Sequence, residues 1–265
     1  MSIRNAVAHR NLLYLLSLKE LRTRYKRSLL GWLWSLLNPL TQMAIFSVIF
    51  LVVFVQKAPL GDPSGIKSFP LYFLSGFIPF NFFSIAVGVS IGQVQGGASL
   101  IKKVAFPHEH LVLSIIVAQF VTMLIEVAVL LAALLIAGSM VLPWLPVLLV
   151  VLCLLAVFTT GLALLLASAN VFFTDVGYLW TIASQLLFYA SPVIWNPATV
   201  GKPWLTNIAS LLPTGAFIMT VHQVVYDLSM PSPQRFAQLT IYAFGSLAIG
   251  SAVFDRLSPK FAEEL

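Results

Sequence analysis

The sequence predicts an all-α integral membrane protein. It reads as six transmembrane helices, with an N-terminal amphipathic interfacial helix and short re-entrant helices before the last span. Three observations carry this. Of 265 residues, 59% are hydrophobic and 9% charged, against about 25% charged in a soluble domain. The mean hydropathy is +0.95. The uncharged residues fall in runs long enough for spans of ~20 residues each. The chain therefore reads as one transmembrane domain over 1–265, with an interfacial helix at 8–28, a cytoplasmic loop at 96–110 and an outer re-entrant segment at 196–230.

The elements follow in order. Residues 12–28 place Tyr14, Leu18, Leu21 and Tyr25 on one helical face. Lys19, Arg22 and Lys26 share another, the arrangement of an in-plane helix whose rings enter the acyl boundary while its cations meet phosphates. A generic positive-inside anchor has the same pattern. The Lys19–Arg27 stretch lacks the apolar core and small-residue cleavage site of a secretory signal. Span one is expected near 36–55, span two near 70–95 and span three near 111–137. Gly138, Pro143 and Pro146 break the next apolar run, which places span four near 147–171. Span five is expected near 177–195 and span six near 236–254. Between them, Pro197, Pro203, Pro213 and Gly215 interrupt an apolar segment. Such backbone is tolerated at membrane depth only under protein cover or beside water, so short re-entrant helices are expected, with a seventh span as the alternative.

Charge sets the orientation. With the N-terminus, the 96–110 loop, the 172–176 turn and the C-terminus on one side, that side holds eleven of the 15 Lys and Arg residues. The positive-inside rule makes both termini cytoplasmic. Nucleic acid is not an expected partner; an anionic membrane surface is.

Several candidate residues stand out. Ser84, Gly88, Gly92 and Gly96 recur every fourth residue, a strip that lets a second helix approach closely, in this chain or another. Glu126 is the carboxyl near the middle of a span. It reads either as a proton or substrate contact, or as a protonated group bonded to neighbouring helices. Phe46, Phe50, Phe188 and Tyr189 are candidates to line a path through spans one and five, with plain packing as the competing reading. His108 and His110 lie two apart, on different helix faces, so they do not form the i, i+4 zinc pair. No GxSxG nucleophile and no GxxxxGK[ST] phosphate loop occurs, and the single cysteine, Cys153, allows no disulfide framework. No catalytic, cofactor or metal site is expected.

One family combines these features. The run from Arg22 through Tyr25, Gly31 and Trp34 to Asn38-Pro39 resembles the N-terminal signature of ABC exporter permeases for polysaccharide and polyol phosphate. Leu100 to Phe106-Pro107 resembles that family's loop between spans two and three. Phe173-Thr174-Asp175-Val176 resembles its turn after span four, with Thr174 where an arginine is common. Ser191-Pro192-Val193-Ile194, Asn196-Pro197 and Leu212-Pro213 extend the likeness along the chain.

The resemblance implies a bacterial inner-membrane subunit that works as a homodimer with two copies of a separate ATPase. That partner would hold ATP and Mg, while this chain has no cofactor and is not itself an enzyme. The cargo would be a lipid-linked glycan such as O-antigen of lipopolysaccharide, with a drug or lipid exporter of the same superfamily as the alternative. Lys102, Lys103, Phe106, Pro107 and Glu109 would then form the ATPase coupling surface. Phe106 fills a partner's pocket on that reading, or dips into the membrane interface on the competing one.

Overall fold

The computed structural model describes residues 10–24, 33–49, 59–98 and 107–264. The described residues are helical throughout, with turns and short loops between helices and no strand among them. In chain order the helices are α1 Arg10–Arg24, α2 Leu33–Ser47, α3 Phe69–Gly96, α4 Glu109–Ile136 and α5 Leu145–Phe172. Next come α6 Val176–Ala190, α7 Pro197–Val200, α8 Pro203–Leu211 and α9 Pro213–His222. α10 Pro233–Leu257 and α11 Phe261–Glu264 close the chain.

Four segments are long and apolar enough to cross a bilayer: Phe69–Gly96, Glu109–Ile136, Leu142–Phe172 and Pro233–Lys260. At ~1.5 Å per residue, a 28-residue helix such as α3 outreaches the ~30 Å hydrocarbon core. These four carry the expected spans at 70–95, 111–137, 147–171 and 236–254. Gly138, with φ +87°, makes the break before Leu142.

Span five is shorter than expected. The reading to 195 is corrected to an end at Ala190, because Ser191 turns to extended backbone (φ −85°, ψ 145°). Pro192 causes this: its ring clashes with a helical residue before it. Beyond it, the 196–230 segment forms short helices. Pro203–Leu211 and Pro213–Asp227 meet at 104°, as a broken span or a re-entrant loop. Span one is described only as far as 49.

The core is built on α3, which packs against α2, α4, α5, α6 and α9. α10 lies on α5, and there the backbones touch. A side chain at Gly161 would collide with the backbone of Ser246 and Leu247, and one at Gly250 with the Gly161 carbonyl. α1 packs on α4, with Ser17 buried and the Gln93 amide donating to Glu20 at 3.2 Å.

Two chemically different ends result. At one end Tyr226 ties the re-entrant segment to the loop before α3. Its hydroxyl donates to the Pro59 carbonyl at 2.7 Å and accepts from the Ser68 N–H at 3.1 Å. Tyr72 donates to the Trp195 carbonyl nearby. At the other end Gln95 and Asn170 exchange hydrogen bonds, and Phe261 packs near Phe172 and Phe254. The fold thus gathers Gln95, His108, Phe172 and Phe261 at one end.

Tyr226→Phe removes the shared hydroxyl and leaves a buried N–H and carbonyl unpaired. It should cost about 1–3 kcal/mol, read as a lower Tm of the detergent-solubilised protein. An unchanged Tm would show that this tie does not hold the re-entrant segment.

Candidate functional site

Three helices wall a groove of about 400 Å³. α2 supplies Gln42 and Phe46, and α3 supplies Phe77, Phe80, Asn81 and Ser84. α6 supplies Thr181, Ser184, Gln185, Phe188 and Tyr189. Steps of three, four and seven put each set on one helical face. Every apolar member of this lining is aromatic, and every polar member is a neutral amide or hydroxyl. Among the described residues no aliphatic and no charged side chain takes part.

The rings support one another. Phe46 stacks on Phe73 with centroids 4.0 Å apart, and Phe73 stacks on Phe77 at 5.1 Å. Phe188 meets Phe77 edge-on at 6.4 Å and Phe80 at 5.2 Å. Tyr189 packs edge-on against Phe188 and is 61% exposed. Two of the hydroxyls are bonded within their own helix, Thr181 to the Gly177 carbonyl and Ser184 to the Thr181 carbonyl. Phe46, Phe188 and Tyr189 therefore come together as the sequence suggested, whereas Phe50 lies outside the described residues.

Sequence reasoning missed Trp180, which is buried and anchors α6. Its indole N–H donates to the Ser84 carbonyl at 3.1 Å, and its ring packs edge-on against Phe83. Gly88 makes room for it, since a side chain there would come within 3.3 Å of the indole nitrogen. Ser84 and Gly88 of the small-residue strip thus serve α6 within this chain. Gly92 and Gly96 have open space beside them instead. Asn81 and Ser84 were legible as small polar breaks in a phenylalanine-rich run, but their shared face with Phe77 was not weighed.

The remaining candidates are dispersed. On α1, Tyr14 is exposed while Leu18 and Leu21 are half-buried, and Lys19 and Arg22 are exposed; Tyr25 and Lys26 lie outside the described residues. Lys102, Lys103 and Phe106 also lie outside them. Pro107 is half-buried, and Glu109 is buried in the first turn of α4. Glu126 is buried at 6% exposure on α4. Its surroundings include Asn81, Gln119 and Thr122. Among the described residues no group of three or more His, Cys, Asp or Glu is placed to hold a metal.

Long apolar helices, a break covered by protein and an uncharged groove between helices define a multi-pass membrane protein. The chain belongs to the ABC-2 type transporter family, which it matches over residues 11–226. It is similar to an O-antigen export system permease protein of Myxococcus xanthus, 28% identical over 265 residues that cover 99% of this chain and 98% of the relative. One from Klebsiella pneumoniae is 26% identical over 256 residues, covering 96% and 95%. A polysialic acid transport protein of Escherichia coli is 35% identical over 85 residues, covering 32% and 31%.

At the end opposite Tyr226, burial lowers the His108 pKa below its usual 6.5. The Nδ1 atom lies 3.1 Å from the Ser258 hydroxyl, and the ring packs near Phe261. A depressed folded pKa means that the fold favours neutral histidine. That stability is present above the unfolded pKa and is lost as pH falls through the folded one. The amide protection factor at residues 261–264, which allows for the slower intrinsic exchange at low pH, should therefore fall when pH drops from about 7.5 to about 5.5. In His108→Gln the same drop should have no such effect. Equal pH dependence in the variant would assign the change to another group.

Proposed function

We propose that the chain is the membrane-spanning permease subunit of an ATP-driven exporter that carries a lipid-linked polysaccharide outward across the bacterial inner membrane. The observation that carries this reading is the groove lining. Sugar rings present apolar C–H faces and a rim of hydroxyls. Flat aromatic faces suit the first, and neutral amides and hydroxyls suit the second. A drug or lipid exporter would be served better by aliphatic walls, and the described lining has none. Conduction also needs binding that is weak and repeated along the route, which scattered rings and uncharged polar groups supply. Near full-length similarity to O-antigen export permeases supports the same class of cargo.

Two copies would face each other across their grooves. α2 and α6 are the least covered walls: Ile45 on α2, with Tyr178, Leu179, Ile182 and Leu186 on α6, are exposed in the single chain. Six spans per copy would be α2 to α6 and α10, with α6 completed by the bent pair at the outer surface. The basic end, with both termini, would lie in the cytoplasm. There α1 would rest in the lipid interface through Tyr14 and Leu15, with Lys19 and Arg22 toward phosphates.

ATP and Mg would be held by two copies of a separate ATPase, since this chain has no phosphate loop. Work would then arrive through the 96–110 loop, with Phe106 in the partner's pocket and Lys102 and Lys103 at its rim. A cysteine replacing Phe106, in a Cys153→Ala background, should crosslink to the ATPase. If Phe106→Ala left export, assembly and ATPase rate unchanged, α1 would become the coupling element.

The function itself is tested by deleting the gene and complementing it. Surface polysaccharide should vanish on deletion and return with the intact chain. Phe46→Ala and Phe188→Ala should each lower export roughly three- to tenfold, matching the about 0.5–1.5 kcal/mol of an aromatic contact, at unchanged membrane levels. Undiminished polysaccharide in the deletion strain would overturn the assignment. Full export by the double variant would remove the groove from the route.

A further inference from the structure

Glu126 has no part in the function argued so far, yet it is buried within a span, where an ionisable group is expensive to keep. It lines a cavity of about 10 Å³ together with Asn81, Gln119 and Thr122. That is about the room one water needs, and such a water requires two to four polar partners; these four side chains offer them. Asn81 is the residue that this cavity shares with the 400 Å³ groove. On its far side, Gln119 and Ile85 also wall a third cavity of about 280 Å³, under Glu20 and Leu21 of α1. A line of polar groups thus runs from beneath α1, past Glu126, to the floor of the groove.

We infer that Glu126 is a positioning residue: through a water-sized polar pocket it fixes the Asn81 amide at the groove floor, where that amide hydrogen-bonds the hydroxyls of a passing sugar. Asn81 is half-buried and sits one turn from Phe77 on the same face, so one sugar can meet both a ring and an amide. An amide free to rotate offers a donor or an acceptor at random. Held by a neighbouring carboxyl it offers a defined one, and less ordering cost remains at binding. Thr122 donates its hydroxyl to the Ala118 carbonyl of its own helix, and Glu126 and Gln119 line the same pocket as Asn81. The carboxyl is used here as a hydrogen-bonding group, not as a charge, so glutamine should replace it.

This inference rests on the export function proposed above, and its test separates the two. In the deletion strain complemented with variants, surface polysaccharide is measured per membrane-inserted copy of the chain. Asn81→Ala should lower export about tenfold, the loss of roughly one hydrogen bond. Glu126→Gln should stay near the intact chain. Glu126→Met, which fills the volume without polar atoms, should match Asn81→Ala. The double variant Glu126→Met with Asn81→Ala should be no worse than either alone, because both remove one interaction. Multiplying losses would show two independent roles and overturn the inference, as would normal export by Asn81→Ala or a Glu126→Gln variant as weak as Glu126→Met. If Glu126→Met fails to accumulate in the membrane, Glu126→Gln and Asn81→Ala still decide. A deletion strain that keeps its polysaccharide overturns the export function instead.

Discussion

No polar group that faces lipid has water to fall back on, and this constraint shapes the described helices. The long helices meet it largely by themselves, since interior N–H and carbonyl groups pair along the axis except at the turn before Pro79 in α3, which has no N–H to give. Their hydroxyls follow suit by bonding back to the preceding turn: Thr159 to Leu155, Thr160 to Ala156, Thr220 to Ala216. The constraint bites at the bend between α8 and α9. Pro213 has no N–H to offer the turn before it, so the last carbonyls of α8 need outside donors. α10 supplies them. Arg235 and Gln238 donate to the Ser210 carbonyl, and Tyr242 donates to the Leu211 carbonyl at 2.7 Å. The re-entrant segment is therefore possible because one long helix carries three donors at its start.

The same constraint explains the groove. A polar side chain facing lipid would be penalised, so Gln42, Asn81, Thr181, Ser184 and Gln185 mark a surface that is not meant for acyl chains. Rings between them keep the wall apolar enough to sit in a membrane. The opposite face of α6 has no such residues: Leu179, Ile182 and Leu186 are apolar and exposed. One short helix thus carries a wall of the groove on one face and exposed apolar side chains on the other.

Much of this was legible in the residues. The spans near 70–95, 111–137 and 147–171 correspond to α3, α4 and α5 within a few residues, because long apolar runs with almost no charge leave one solution in lipid. The bends in 196–230 were legible from their prolines. What escaped were relations between residues far apart in the chain. Trp180 reads as one more aromatic until Ser84 and Gly88 are seen beneath it, 96 residues away in the case of its hydrogen bond. Tyr226 reads the same way until the Pro59 and Ser68 backbone appears around its hydroxyl. Gly161 and Gly250 look like ordinary breaks in two helices, and only their crossing shows that neither tolerates a Cβ. The end of α6 was misread for a local reason, since Pro192 acts on the residue before it and the apolar run continues past it.

How the groove opens follows from how its three walls are held. α3 is fixed, being packed on five other helices with its ring-bearing side buried at Phe73 and Phe83. α6 is the opposite case: of its residues only Trp180 is buried. Widening the groove therefore costs least at α6. Displacing it gives up the indole bond to Ser84 and the contacts of Phe188 with Phe77 and Phe80, while leaving the long helices untouched. Each of these is an interaction of about 1 kcal/mol, small beside the packing that holds α5 on α10. Besides Trp180, only partly buried side chains such as Val176, Ala183, Leu187 and Phe188 hold this wall to the core, so its displacement would disturb the rest of the fold least.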